Sequence, residues 1–301
     1  MLTILGPTAA GKTKLAVNLA HQLKGEILSA DSRQVYRGMT IGTGKDLDDF
    51  KSVSPPIPYH LIDICDPGEK YNLSRFQLDF SNALKEILER GNQPILCGGS
   101  GLYIQAVLEN YGYTHIPVNQ NIREQSSQLT HNELRALIKN ICPSNYAPDL
   151  STHKRSIRAL EIATYLNNHP AEVINTTQPE ISSELFGIHL DRDVIKKRIT
   201  TRLRERLKNG LIEEVQHLLN SGITTENLIY YGLEYKFITQ MLLGELKHDE
   251  LFERLNTAIQ QFSRRQMTWF RRMEKHGHSI NWIDGTLSQD TQIDFILKHL
   301  N

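Results

Sequence analysis

Eight residues near the amino terminus, Gly6-Pro7-Thr8-Ala9-Ala10-Gly11-Lys12-Thr13, have the spacing of a phosphate cradle. In G-x-x-x-x-G-K-[ST] the glycines let the backbone curl until successive N–H groups point into one concavity. Lys12 and the start of the following helix add positive potential where a diphosphate would sit. Thr13 is placed to ligate Mg²⁺. Such a cradle serves two chemistries. A kinase uses it to hold ATP and move the terminal phosphoryl group. A prenyl transferase uses it to hold a diphosphate that departs, and stabilising the departing charge is then itself the catalytic act. A second reactive group follows in Ser29-Ala30-Asp31-Ser32-Arg33-Gln34-Val35-Tyr36, where Asp31 suits a general base or a metal contact, or else a turn cap.

These groups need elements to hold them on one edge. Short apolar runs at Leu2 to Leu5, Glu26 to Ala30, His60 to Ile64 and Pro94 to Cys97 read as strands, and helical spacing fills Lys12 to Lys24 and Ser74 to Arg90. Alternation of this kind predicts an α/β fold with a parallel sheet flanked by helices. The cradle and Asp31 then both lie at carboxyl ends of strands, where sites form in open α/β sheets. From about Gly112 the strand signal fades. Asn132 to Lys139 and His153 to Leu166 read as amphipathic helices, which predicts a helical insertion over 113–182 within a core of 1–112 and 183–301. Phe186 to Leu190 returns to the sheet, long helices follow through Trp269, and Ser279 to Ile283 reads as a late strand.

Composition narrows the classes. The 301 residues carry 34 Lys+Arg against 34 Asp+Glu, and 39% are hydrophobic, as in an ordinary globular chain. No apolar run is long enough to span a membrane, no export signal is evident, and Cys65, Cys97 and Cys142 are too few and scattered for a disulfide framework. The expectation is a cytoplasmic monomer with no membrane partner. Charge is nevertheless local: Arg192 to Lys208 holds eight basic residues against two acids, and Arg264 to Lys275 holds five against one. Either stretch is a solvated helix face or a phosphate-contacting one.

Taken together, GPTAAGKT, SADSRQVYRGMTIGTGK at 29–45, YHLIDICDPGEKYNLSRFQ at 59–77, CGGSGLYIQAV at 97–107 and RRQMTWFRR at 264–272 resemble the successive blocks of bacterial tRNA dimethylallyltransferases, in order and through nearly the whole chain. The resemblance implies a P-loop NTPase-like core and transfer of a dimethylallyl group from dimethylallyl diphosphate to N6 of the adenosine immediately 3′ of the anticodon, with Mg²⁺ as cofactor. It implies that Asp31 is the general base and that Thr8, Lys12, Thr13 and Arg202 meet the diphosphate or its Mg²⁺. Ser100, usually threonine, would touch the reacting region. Contacts to the tRNA anticodon stem-loop would come from Asp31, Ser32, Arg33, Gln34, Ser100, Arg123, Lys154, Arg155, Arg158, Tyr231, Gly232, Arg264, Arg265, Gln266, Trp269 and Arg271. For Trp269 and Phe270 the helical pattern reads more readily as core packing than as a stacking platform.

The implied chemistry suits these residue types. An adenine amino group is a poor nucleophile, so a carboxylate must take its proton as the C–N bond forms. Cleavage at the allylic carbon loads charge on the diphosphate for Lys12, Arg202, the loop amides and Mg²⁺ to offset. A loop base must also be extruded to reach such a site. The sequence departs from the family in two places. The usual Gly-Thr-Ala-Lys-Pro reads Gly42-Thr43-Gly44-Lys45-Asp46, opening an acidic run read as a solvated turn, and the usual Gly-Tyr block reads Tyr231-Gly232-Leu233-Glu234. Rival functions are a small-molecule kinase, an adenylate isopentenyltransferase and an RNA-binding module without chemistry. The basic back half favours the tRNA enzyme over the first two, and Asp31 separates it from the last.

Overall fold

The structure is a computed structural model that describes residues 1–144, 146–169 and 181–300. Its sheet has six parallel strands: β1 (Leu2–Leu5), β2 (Gly25–Ala30), β3 (Tyr59–His60), β4 (Gln93–Gly98), β5 (Glu184–His189) and β6 (Ile280–Asp284), in the spatial order β3-β2-β4-β1-β5-β6. Every residue of β1 and β2 is buried, as expected of parallel strands covered on both faces. Helix α1 (Lys12–Leu23) buries Leu15 and Leu19, and α2 (Leu73–Glu89) buries Phe76 and Phe80 at the spacing that marks them in the sequence. The short α3 (Gly101–Leu108) follows β4 directly.

After β5 come α7 (Arg192–Lys208), α8 (Leu211–Asn220), α9 (Thr225–Tyr230), α10 (Leu233–Leu242), the long α11 (His248–Lys275) and, past β6, α12 (Gln289–Leu300). The intervening α4 (Gln120–Ser126), α5 (His131–Ile141) and α6 (His153–Asn168) form a separate small unit. Compactness divides the chain into Met1–Leu108 with Ile181–Asn301, and Glu109–Glu180. The division falls four residues before the expected start of the insertion and two before its expected end. Within that expected segment, residues 145 and 170–180 lie outside the described residues.

The strand expected over 60–64 stops at His60. Leu61 and Asp63 take positive φ angles of 65° and 56°, and the buried Lys45 ammonium donates to Asp63 Oδ1 at 2.5 Å and to the Tyr36 carbonyl at 2.7 Å. The apolar Leu61-Ile62 pair is therefore buried by a turn clamped to the loop after β2, a long-range cause that local pattern does not carry.

The sheet's two working ends are fixed by close approach. Ala30 at the end of β2 pairs in register with Gly98 at the end of β4, and a Cβ on Gly98 would enter the Ala30 backbone. Because nothing larger than glycine fits, the residues that follow the two strands, Asp31 and Ser100, emerge side by side.

Candidate active site

The cradle forms as its sequence predicts. Gly11, with φ of 95°, caps α1 without any side-chain hydrogen bond, so the first N–H groups of the helix face the loop's concavity. Lys12 Nζ donates to the Pro7 carbonyl at 2.8 Å, folding its ammonium back over the loop. Burial pushes the Lys12 amine below its ordinary range, with Cys97 and Asp31 acting in the opposite direction. The same burial pushes the neighbouring Cys97 thiol up to about 11. A half-buried ammonium beside a row of orphan N–H groups is a receptor for an anion.

Asp31 Oδ1 accepts from the Arg33 backbone N–H at 2.9 Å, an Asx turn that fixes its carboxylate; Oδ2 has no hydrogen bond among the described residues. Ser100 N donates to the Ala30 carbonyl at 3.2 Å, and Ser100 Oγ accepts from Ser32 N–H at 3.2 Å. The hydroxyl thus stands next to the carboxylate with its own proton available to donate.

These groups share a cleft of about 630 Å³ lined by Thr8, Lys12, Thr13, Asp31, Ser100 and Arg202 on one side and by Tyr230, Gly232, Phe262, Arg265 and Trp269 on another. An adjoining cavity of about 490 Å³ includes Ala9, Gly11, Lys14 and Asp49 and shares Lys12, Thr13, Asp46 and Arg202 with the first. The acidic run is therefore not merely solvated: Asp46 pairs with Arg202 at the cradle. No group of three or more His, Cys, Asp or Glu suited to a metal occurs among the described residues. The donor set fits a hard cation held by the Thr13 hydroxyl and by a ligand's own phosphate oxygens, the usual arrangement for Mg²⁺.

The remaining expected residues separate into groups. Arg33 lies over the Tyr230 ring at 4.6 Å, beside Gly232. Gln34 is spent internally, accepting from Ser29 Oγ and donating to the Gly44 carbonyl. Tyr231 is buried, packed on Tyr36 with ring centroids 4.4 Å apart, and its hydroxyl accepts from Gly68 N–H at 2.5 Å. On α11, Arg264, Arg265 and Arg271 are exposed and form no ion pair among the described residues. Gln266 is buried instead: its Oε1 accepts from Thr8 N–H at 2.8 Å and its Nε2 donates to the Gly99 carbonyl at 2.9 Å. Trp269 is half-buried, lies against Gly101 and donates its indole N–H to Gln105 at 3.0 Å, while Phe270 is core.

In the small unit, Arg123 and Arg158 both reach the buried Glu161, at 2.7 and 2.9 Å, and Arg158 also donates to the Ile116 carbonyl. Arg155 pairs with Asp149, and Lys154 is exposed. Glu161 thus accounts for two of the expected RNA-contacting arginines as internal struts.

Several site residues have partners that the sequence does not disclose. Glu214 of α8 accepts backbone N–H groups from Thr40, Ile41 and Gly42 at 2.8 to 2.9 Å and the Tyr235 hydroxyl at 2.7 Å, moulding the loop that faces the cleft. Arg198 of α7 reaches the Ala10 carbonyl of the cradle at 3.3 Å. Arg206 and Glu234 pair within the cleft wall at 3.3 Å. Burial pushes the guanidinium of Arg206 down and the carboxyl of Glu234 up, each opposed by the partner's charge.

Comparison with known proteins gives this arrangement its relatives. The family model described as IPP transferase matches residues 34–273, and that described as isopentenyl transferase matches residues 1–53. A tRNA dimethylallyltransferase 2 of Porphyromonas gingivalis is 51% identical over 298 residues, 99% of this chain and 98% of its own length. A second, from Bacteroides fragilis, is 46% identical over 300 residues, 100% of this chain and 97% of its own. The crystal structure of a full-length tRNA isopentenylpyrophosphate transferase from Bacillus halodurans superposes with a TM-score of 0.72 at 32% identity, covering 99% of this chain and 94% of that one.

Proposed function

The chain belongs to the IPP transferase family, and from that premise we propose that it transfers a dimethylallyl group from dimethylallyl diphosphate to N6 of the adenosine 3′ of the anticodon in tRNA. The observation that carries the reading is the convergence of the phosphate cradle, Asp31 and Ser100 on one edge of the sheet, within one cleft. In this reaction the N6–C bond forms as the allylic C–O bond breaks, the N6 proton passes to Asp31, and diphosphate leaves.

Each residue has a role its surroundings support. The Asx turn holds Asp31 in one orientation, which is what a general base needs at the moment of transfer. Lys12, the amides at the start of α1 and Arg202 offset the charge that grows on the leaving group, with donors and cations already aimed at it before the bond breaks. Mg²⁺ bound at Thr13 would supply further charge neutralisation of the diphosphate. Ser100 is placed to hydrogen-bond the reacting base or the allyl diphosphate. Arg264, Arg265 and Arg271 supply unpaired cations for the tRNA backbone, and Arg33 with Tyr230 offers a flat face beside Asp31 on which an extruded base can rest. Gln266 is better read as a brace for the cradle than as an RNA contact, since both ends of its amide are taken.

The test is incubation of protein, Mg²⁺, dimethylallyl diphosphate and unmodified tRNA, with prenylated adenosine sought by mass. Parallel incubations with AMP as acceptor and with ATP as donor separate the rivals. The expected result is product only with tRNA and the allyl diphosphate. Prenylated AMP without tRNA product, or phosphoryl transfer from ATP, would overturn the assignment.

A further inference from the structure

We propose that Asp46 is a resident counter-anion for Arg202 that an incoming diphosphate must displace, so that this carboxylate sets how tightly diphosphate is held and how readily it leaves. The inference rests on reading the cradle as a diphosphate site and adds a residue that no cradle motif contains.

Three positions that depart from the family pattern, Gly44, Asp46 and Glu234, meet at two arginines. Helix α7 carries Arg202 and Arg206 at i and i+4, on one face. Arg202 Nη2 is ion-paired with Asp46 Oδ2 and reaches the Gly44 carbonyl at 3.4 Å. Arg206 Nη1 reaches the Gly42 carbonyl at 3.5 Å and Glu234 Oε1 at 3.3 Å. A Cβ on residue 44 would collide with both guanidinium groups, so the glycine there, at φ of 63°, leaves the room in which they lie against the loop. The three departures therefore form one arrangement: a gap for two cations and a carboxylate for each.

The two pairs differ in setting, and the difference assigns their roles. Arg206 and Glu234 are enclosed, with side chains 14% and 17% exposed. Neither is free to exchange its partner without leaving a charge buried and alone, which makes the pair a fixed strut. Arg202 and Asp46 are 27% and 42% exposed and line both cavities together with Lys12 and Thr13. Water reaches them, so opening this pair costs little, and the guanidinium fork donates to phosphate oxygens as readily as to a carboxylate. Asp46 meanwhile remains on the wall of the cavity and repels the anion that takes its partner. Once C–O cleavage has produced inorganic pyrophosphate, the same carboxylate competes to recover Arg202.

The probe is inorganic pyrophosphate, titrated calorimetrically at low salt into wild type, Asp46→Asn, Arg202→Gln and the double variant, each with and without Mg²⁺. Asp46→Asn is expected to bind about tenfold more tightly, the order of effect of deleting one like charge a few ångströms from an anion in a partly screened site. The gain shrinks as salt rises and vanishes in the Arg202→Gln background. Residue 46 has a φ of 47°, which asparagine tolerates and glycine prefers, so Asp46→Gly repeats the measurement if Asp46→Asn melts early. Unchanged or weaker binding by both folded variants overturns the proposal; weakening seen only with Mg²⁺ also overturns it and makes Asp46 a support for the metal. Wild type that fails to bind pyrophosphate at all would instead remove the diphosphate reading on which the proposal stands.

Discussion

Asp31, the proposed proton acceptor, sits in a position fixed by its neighbours' backbones: one oxygen is held by Arg33 N–H, and the hydroxyl of Ser100 is held by Ser32 N–H. Replacing the carboxylate with an amide preserves that turn and removes the proton acceptor. Asp31→Asn is therefore expected to lower the rate of dimethylallyl transfer by ~10²–10⁴ while tRNA affinity, measured by filter binding or anisotropy, changes by no more than a few fold. Full turnover by the variant would take Asp31 out of the mechanism. At this scale the residues readable from sequence are those whose chemistry is local. The cradle is one continuous octapeptide, and Asp31 follows a strand directly. Glu214 is not readable, nor is the pairing of Arg206 with Glu234, because each gains its meaning from a partner 21 to 174 residues away along the chain. The expected RNA contacts Gln34, Tyr231, Gln266, Arg123 and Arg158 illustrate the converse. Their types suit nucleic acid, yet the fold gives every one an internal partner that no spacing rule discloses.

Helix α11 does two jobs from two faces. Its exposed face carries Arg264, Arg265 and Arg271, and its buried face inserts Gln266 between Thr8 of the cradle and Gly99 after β4. The element thus joins a surface suited to tRNA with the loop suited to diphosphate. Two variants separate the faces. Gln266→Ala leaves a buried amide N–H and a carbonyl unpaired, and is expected to raise KM for the allyl diphosphate by about tenfold with tRNA binding little changed. Arg265→Ala is expected to weaken tRNA binding and lower the slope of log K against log salt by about one, leaving the diphosphate KM alone. Steady-state kinetics with each substrate varied, together with a salt titration, read both; an identical salt slope in Arg265→Ala would exclude a phosphate contact there. The elements themselves were largely legible. Long helices with apolar stripes, such as α2 and α5, sit within a few residues of their predicted bounds. The shortest were not: α3, α4 and α9 have eight, seven and six residues, too few turns for a period to stand out. The strand at 59–60 was overestimated because a buried lysine, Lys45, turns the chain there.

Across the molecule, the end of the sheet away from the cleft has an anchor of its own. Glu26, at the start of β2, is buried and accepts two hydrogen bonds from Arg90 and others from Asn92 and His60, tying β2 to β3 and to the turn before β4. The Arg90 guanidinium, followed by Asn92 and His60, holds its carboxyl down at about 2 despite burial. A carboxylate whose folded pKa is depressed contributes stability that is complete above its unfolded value near 4.5 and is lost as pH falls through about 2. Glu26→Gln is expected to cost about 3 kcal/mol at neutral pH and to flatten the acid limb between those values, with the transfer rate at a permissive temperature unchanged. Urea melts as a function of pH measure it, and an unaltered acid limb would place the pH sensitivity elsewhere. The spatial order of the strands also bears on how the chain is made. Strand β1 leaves the ribosome first, yet its neighbours in the sheet are β4, from residue 93, and β5, from residue 184. The phosphate loop hangs from the end of that strand, so until β4 is made the nascent chain carries a finished motif on an unpaired ribbon, and until β5 follows that ribbon keeps one open edge. Translation must pass residues 109–180 before β5 exists to close the second edge of that ribbon.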